Sequence, residues 1–180
     1  MAARKKQRKK TLFIANTAML SAVAVALSIA ESLIPQLSVL PPGAKLGLSN
    51  ISVMLGGDIM GFSSALFIAL LKSVFAGITR GFTAFLMSFS GGILSTVVMM
   101  ILLRFAGKRV GYLGIGICGA ITHNLAQLTV SSVLTTEAVF VYLPALMVMS
   151  VFTGALTGTL LGLILPHYRR LYNGKDNYSD

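Results

Sequence analysis

The chain has 180 residues, 55% of them hydrophobic and 11% charged, with a mean hydropathy of +0.82 and a formal net charge of +10. A soluble globular domain carries about 25% charged residues, so this chain lacks the polar surface to coat a water-exposed globule. The net positive charge suggests nucleic acid as a partner, but its placement argues otherwise: Lys and Arg sit in short clusters between long apolar runs, the pattern of membrane topology signals and of contact with anionic lipid head groups.

Residues 1–11 form a basic tail, with six Lys and Arg between Ala2 and Lys10 and no apolar core; this tail is expected to be disordered and cytoplasmic. The apolar run Leu12 to Ile34 follows. A secretory signal with Ala24-Val25-Ala26 as cleavage site is the competing reading, but the run exceeds the about 7–15 apolar residues of a signal and further spans follow it. It is therefore read as a retained first helix, ended by Pro35. Gln36 to Ala44, with Pro41-Pro42-Gly43, reads as an outer loop.

Leu46 to Ile59 is short for a full span, so a tilted or broken helix is expected there, its ends shielded by protein. Gly56-Gly57-Asp58 and Gly61 mark a tight turn, with Asp58 expected to cap the next helix. Phe62–Ile78, Thr83–Leu103, Gly111–Leu134 and Val139–Leu165 complete six spans, joined by loops at Thr79–Phe82, Arg104–Val110 and Thr135–Ala138. Residues 166–180 read as a frayed polar tail behind a transmembrane domain over 12–165. The fold class expected is all-α, a six-helix membrane bundle.

Orientation follows from the basic residues. The amino-terminal six, then Arg104, Lys108 and Arg109, then Arg169, Arg170 and Lys175 all fall on one side, against Lys45 and Arg80 on the other. Positive charge favours the cytoplasmic side, which places both termini inside. Merging the second and third segments would make the count odd and put the last cluster outside.

Small residues recur every fourth position, which returns to nearly the same helix face and lets another helix approach closely. The stripes are Ala18, Ala22, Ala26 and Ala30; Ala65, Ala69, Ser73 and Gly77; Ser88, Gly92 and Thr96; and Ser150, Gly154, Gly158 and Gly162. Packing within the bundle accounts for most of them. All four cannot face one small interior equally well, and the first is the candidate for contact with another protein.

Polar residues also stand where lipid would be expected. A lysine at mid-helix costs about 2.5–3.5 kcal/mol on insertion scales, so Lys72 must face a cavity or a partner, or snorkel. Glu31, Lys45, Asn50, Arg80, His123, Asn124 and Gln127 fall toward the same outer half. Lys45 and Arg80 could be interfacial anchors, Glu31 could simply pair with Lys45 or Lys72, and His123 and Asn124 could be ordinary interhelical hydrogen-bonding groups. Their convergence favours a polar cup opening outward, and its excess of cations favours an anionic ligand.

Catalytic signatures are absent from the sequence. It has no phosphate-binding Gly-rich loop, no aspartate-rich pair for a magnesium diphosphate, and no convincing nucleophile–base set. Its single cysteine, Cys118, excludes an internal disulfide and a multi-cysteine metal site. An independent enzyme is not expected, nor is a metal or cofactor.

The ladder Ala18-xxx-Ala22-xxx-Ala26, the six short helices and the stretch Pro42-Gly-Ala-Lys-Leu-Gly-Leu-Ser-Asn50 together resemble the Gx transporter family, also called heptaprenyl diphosphate synthase component I. That family is similar to the substrate-binding S components of energy-coupling factor transporters. The resemblance spans Leu12 to Leu165, with Lys45 to Asn50 the most distinctive part. It implies a bacterial plasma-membrane protein that captures a small, anionic or vitamin-like molecule on the outer side. Lys45 and Asn50 are the site residues it carries over. It also implies that the alanine face docks a transmembrane coupling subunit, itself joined to two ATPases. Two alternatives stand beside it: a non-catalytic membrane partner of a prenyl diphosphate synthase, and a membrane subunit of a quinone or flavin redox assembly. An outward polar cup favours transport, whereas a lipid-facing apolar slot favours the other two.

Overall fold

A computed structural model describes residues 2–33 and 47–177. Six α-helices follow one another: α1 (Ala2–Leu33), α2 (Asn50–Met60), α3 (Phe62–Arg80), α4 (Phe82–Phe105), α5 (Gly107–Leu134) and α6 (Leu143–Asn177), with a 3-10 turn over Glu137–Tyr142 before the last. Five of them carry stretches long and apolar enough to cross a membrane. The chain is an all-α, polytopic membrane protein.

The remaining helix, α2, is the organising element. Eleven residues at 1.5 Å each reach about 16 Å, half of a hydrocarbon core about 30 Å thick. Residues Asn50 to Gly57 are all buried, and α2 packs against α1, α3, α4 and α6. The other five helices stand around it in the order α1, α3, α4, α5, α6, each packed against the next except α1 and α6. Ile51, Val53, Met54 and Leu55 join Leu20, Ile68, Met99, Ile115 and Leu161 in one core. The first eight residues of the half-length helix are thus covered by the helices around it, as a polar helix start at that depth requires.

Helices consecutive in the chain run antiparallel, so α1 and α3, which pack side by side, run parallel. At one end of the bundle Thr17 of α1 hydrogen-bonds Ser64 of α3 at 3.0 Å and lies beside Met60 of α2. At the same end Asp58 accepts from Arg169 of α6 at 2.5 Å, and Arg169 also reaches the Tyr112 hydroxyl of α5. Tyr168 donates to Asn16 at 3.4 Å, linking α6 to α1. Six helices alternating in direction bring the end of α6 back to the end of the bundle where α1 begins.

Several expectations change. Residues 2–10, expected to be disordered, continue α1 as helix. Ala, Arg, Lys and Gln are strong helix formers, and extending an existing helix is far easier than nucleating one. Likewise α6 runs through Pro166 to Asn177 instead of fraying there; a proline removes one backbone bond, and here the helix carries on past it. The loops expected at Thr79–Phe82 and Arg104–Val110 shrink to Gly81 and Ala106, and α5 kinks at Gly111. Gly61 and Gly81 take φ of +92°, a conformation that costs a glycine little, and each reverses the chain in one residue. Asp58 does not cap α3, whose N-cap is Gly61 with no side-chain bond; Asp58 stays inside α2 and faces Arg169.

Candidate functional site

The site is built where α2 begins. Its N-terminus lies beside the middle of α3: Lys72, the eleventh residue of that helix, donates to Asn50 Oδ1 at 2.7 Å and to Ser49 Oγ at 3.1 Å. Lys72 is only 4% exposed. A buried ammonium needs partners to offset its desolvation, and the start of α2 supplies them. Glu31, near the end of α1, is buried and accepts the Leu48 backbone N–H. That bond ties α1 to the turn Gly47-Leu48-Ser49, which leads into α2.

α5 contributes His123. His123 is buried against the backbone of Gly91 in α4, where an added Cβ would come within 2.9 Å of the imidazole. The ring also lies within electrostatic reach of Lys72, as Arg80 does of Glu31. Three buried polar atoms here have no hydrogen-bond partner: Glu31 Oε2, Ser52 Oγ and His123 Nδ1. Buried polar atoms are satisfied in the great majority of cases, so these three make the residues that carry them the candidate site.

Of the residues singled out from sequence, Glu31, Asn50, Lys72 and His123 come together in this cluster. Arg80 stands exposed at the end of α3, reaching it only electrostatically. Asn124 turns elsewhere: it donates to Ser150 Oγ at 2.8 Å and ties α5 to α6. Gln127 is buried one turn beyond His123 on the same face of α5. Lys45 lies outside the described residues, so its expected pairing with Glu31 does too. Sequence reading passed over Ser49 and Ser52. Their signal was weak, two serines flanking Asn50 among many in apolar helices. Among the described residues no group of His, Cys, Asp and Glu gathers to hold a metal ion.

The small-residue stripes divide as their surroundings dictate. Gly158 touches α5 so closely that a Cβ would meet the Tyr112 carbonyl oxygen at 2.5 Å, and one on Gly116 would meet Gly158 Cα at 2.9 Å. Gly92 faces Ala69 and Ser73 across the α3–α4 contact. Apart from Gly162, where an added Cβ meets nothing within 4 Å, the residues named here are taken up in packing within the bundle. The alanine ladder is not: Ala18, Ala22, Ala26 and Ala30 are all exposed, while Leu20, Ser21, Ala24, Ser28 and Glu31 form the buried side of α1.

The sequence model of the family described as heptaprenyl diphosphate synthase component I matches residues 20–164, most of the chain, and the chain belongs to that family. No curated protein and no solved structure matches it.

Proposed function

We propose that this member of the component I family is a non-catalytic membrane subunit that captures a small acidic molecule inside its bundle and works with a separate coupling subunit, in the manner of an energy-coupling factor S component. The observation that carries this reading is the gathering of Glu31, Asn50, Lys72 and His123 at the buried start of a half-length helix, with three polar atoms unpartnered. Half-helices that begin in mid-membrane direct the positive ends of their dipoles at anionic groups of transported molecules. Here the start of α2 lies with Lys72, and Arg80 adds a second cation nearby, so a carboxylate or phosphate is the group best received. Glu31 Oε2 and His123 Nδ1 then serve a donor elsewhere on the same molecule. The exposed alanine ladder supports a partner helix that docks and releases, since small side chains let backbones approach closely. Orientation with both termini in the cytoplasm, supported by the distribution of Lys and Arg, opens the site outward.

Extraction of small molecules from the protein purified in mild detergent tests this. Wild type should carry a defined acidic compound that Lys72→Met does not; an identical extract from both would contradict it.

A second reading has its own observation. A lipid-facing apolar groove runs between α1 and α3, and the family's description names a prenyl diphosphate synthase. On this reading the chain is the membrane-lodged partner of a soluble synthase and handles its long-chain diphosphate. Recovery of such a synthase with the tagged chain would favour it.

A further inference from the structure

The outward face of α1 and α3 holds a groove of about 860 Å³, within the about 300–1,000 Å³ usual for small-ligand pockets. Phe13, Ile14 and Val25 form one wall, and Phe67, Leu71 and Ile78 the other. Its hydroxyls are largely spent elsewhere: Thr17 bonds Ser64, and Ser21 donates to the Thr17 carbonyl. The groove therefore offers a guest almost nothing but apolar contact. Its amino-terminal end is different. Lys10 stands three and four residues before Phe13 and Ile14, and Lys6 a further turn back, so both continue the groove's face of α1. Both are exposed. An apolar trough leading to two ammonium groups is complementary to a molecule with one long apolar tail and an anionic head.

The geometry points to a binding groove for a polyisoprenyl diphosphate, its chain lying between α1 and α3 and its diphosphate on Lys6 and Lys10. The choice of an isoprenoid tail rests on the prenyl-synthase reading above; the groove, its spent hydroxyls and the lysine face do not depend on it. The groove and the alanine ladder overlap in part. Each four-residue step turns about 40° around the helix, so Ala18 and Ala22 border the groove while Ala26 and Ala30 turn away from it.

Native mass spectrometry of the full-length protein in mild detergent tests the groove, with geranylgeranyl diphosphate as probe and geranylgeraniol and phosphatidylglycerol as comparisons. The diphosphate should bind at least tenfold more tightly than either. Its affinity should fall at least tenfold in Leu71→Trp, which fills the groove, and in the double variant Lys6→Glu, Lys10→Glu, which removes the head-group site. These are exposed positions, and unchanged melting temperatures would show that the variants fold. Equal binding of phosphatidylglycerol, or diphosphate binding indifferent to both variants, overturns the proposal. So does a photoreactive side chain in place of Phe67 that captures a protein helix in native membranes and no isoprenoid. If a synthase co-purifies while the groove fails these tests, the family reading survives without the groove; isoprenoid bound at the groove with no synthase present is the reverse case.

Discussion

Lys72 shows how one residue can single itself out in a sequence. A charge in an apolar span is costly enough that a reason for it must exist, and the reason is visible: Ser49, Asn50 and the start of α2 surround it. Hydrogen bonds to charged groups contribute about 1.5–3 kcal/mol, so Lys72→Ala should weaken ligand retention by roughly 10- to 150-fold while the protein still reaches the membrane. Retention at the wild-type level, measured by binding to the purified variant, would reduce Lys72 to a structural tie. Glu31, Asn50 and His123 were legible for the same reason as Lys72. Ser49 and Ser52 were not, because a serine in a membrane helix satisfies itself on its own backbone, as Ser73 and Ser95 do, and so carries no alarm. Asn124 was legible as a polar group but not as a tie to Ser150, since that pairing depends on the register of α5 against α6.

At the scale of helices, the repeating small residues were plain in the sequence but their partners were not, because a stripe records a face and not what covers it. Gly158 and Gly162 separate the cases. A side chain at Gly158 meets the α5 backbone, whereas one at Gly162 meets nothing within 4 Å. Overpacking costs typically about 1–3 kcal/mol, so Gly158→Val should lower the melting temperature in detergent by several degrees. Gly162→Ala should leave it unchanged or raise it slightly, alanine being the better helix former by about 1 kcal/mol; equal losses in both would refute the close α5–α6 approach. The ladder makes the opposite prediction. Ala26→Leu adds bulk to an exposed helix face, so it should leave folding and ligand binding intact and sharply reduce co-purification of a coupling subunit. Undiminished co-purification would remove the docking role. The short α2 was legible by its length, and its burial follows from membrane physics. The helical continuation of α1 and α6 into charged ends was not, because hydropathy marks where a helix leaves lipid and not where it ends.

For the whole molecule, parity is the quantity that composition and structure both address. The distribution of Lys and Arg is the one expected if both ends of the chain lie on one side, and six helices alternating in direction, one of half length, return the end of α6 to the end where α1 begins. With Cys118 replaced by serine, cysteines at Arg4 and Arg170 should both resist a membrane-impermeant thiol reagent in intact cells and both react after permeabilisation. Labelling of just one in intact cells would break the parity. The same architecture keeps the polar residues at the buried start of α2 and leaves the ladder exposed, the division between holding a molecule and meeting a partner that the proposed function requires.

That division is tested most directly by purifying the tagged protein from its native membranes in mild detergent and identifying everything that comes with it by mass spectrometry. The account predicts a membrane coupling subunit with paired ATPases, lost in Ala26→Leu, and a small acidic molecule, lost in Lys72→Ala. A prenyl diphosphate synthase or a redox subunit in their place, with no such molecule retained, would contradict it.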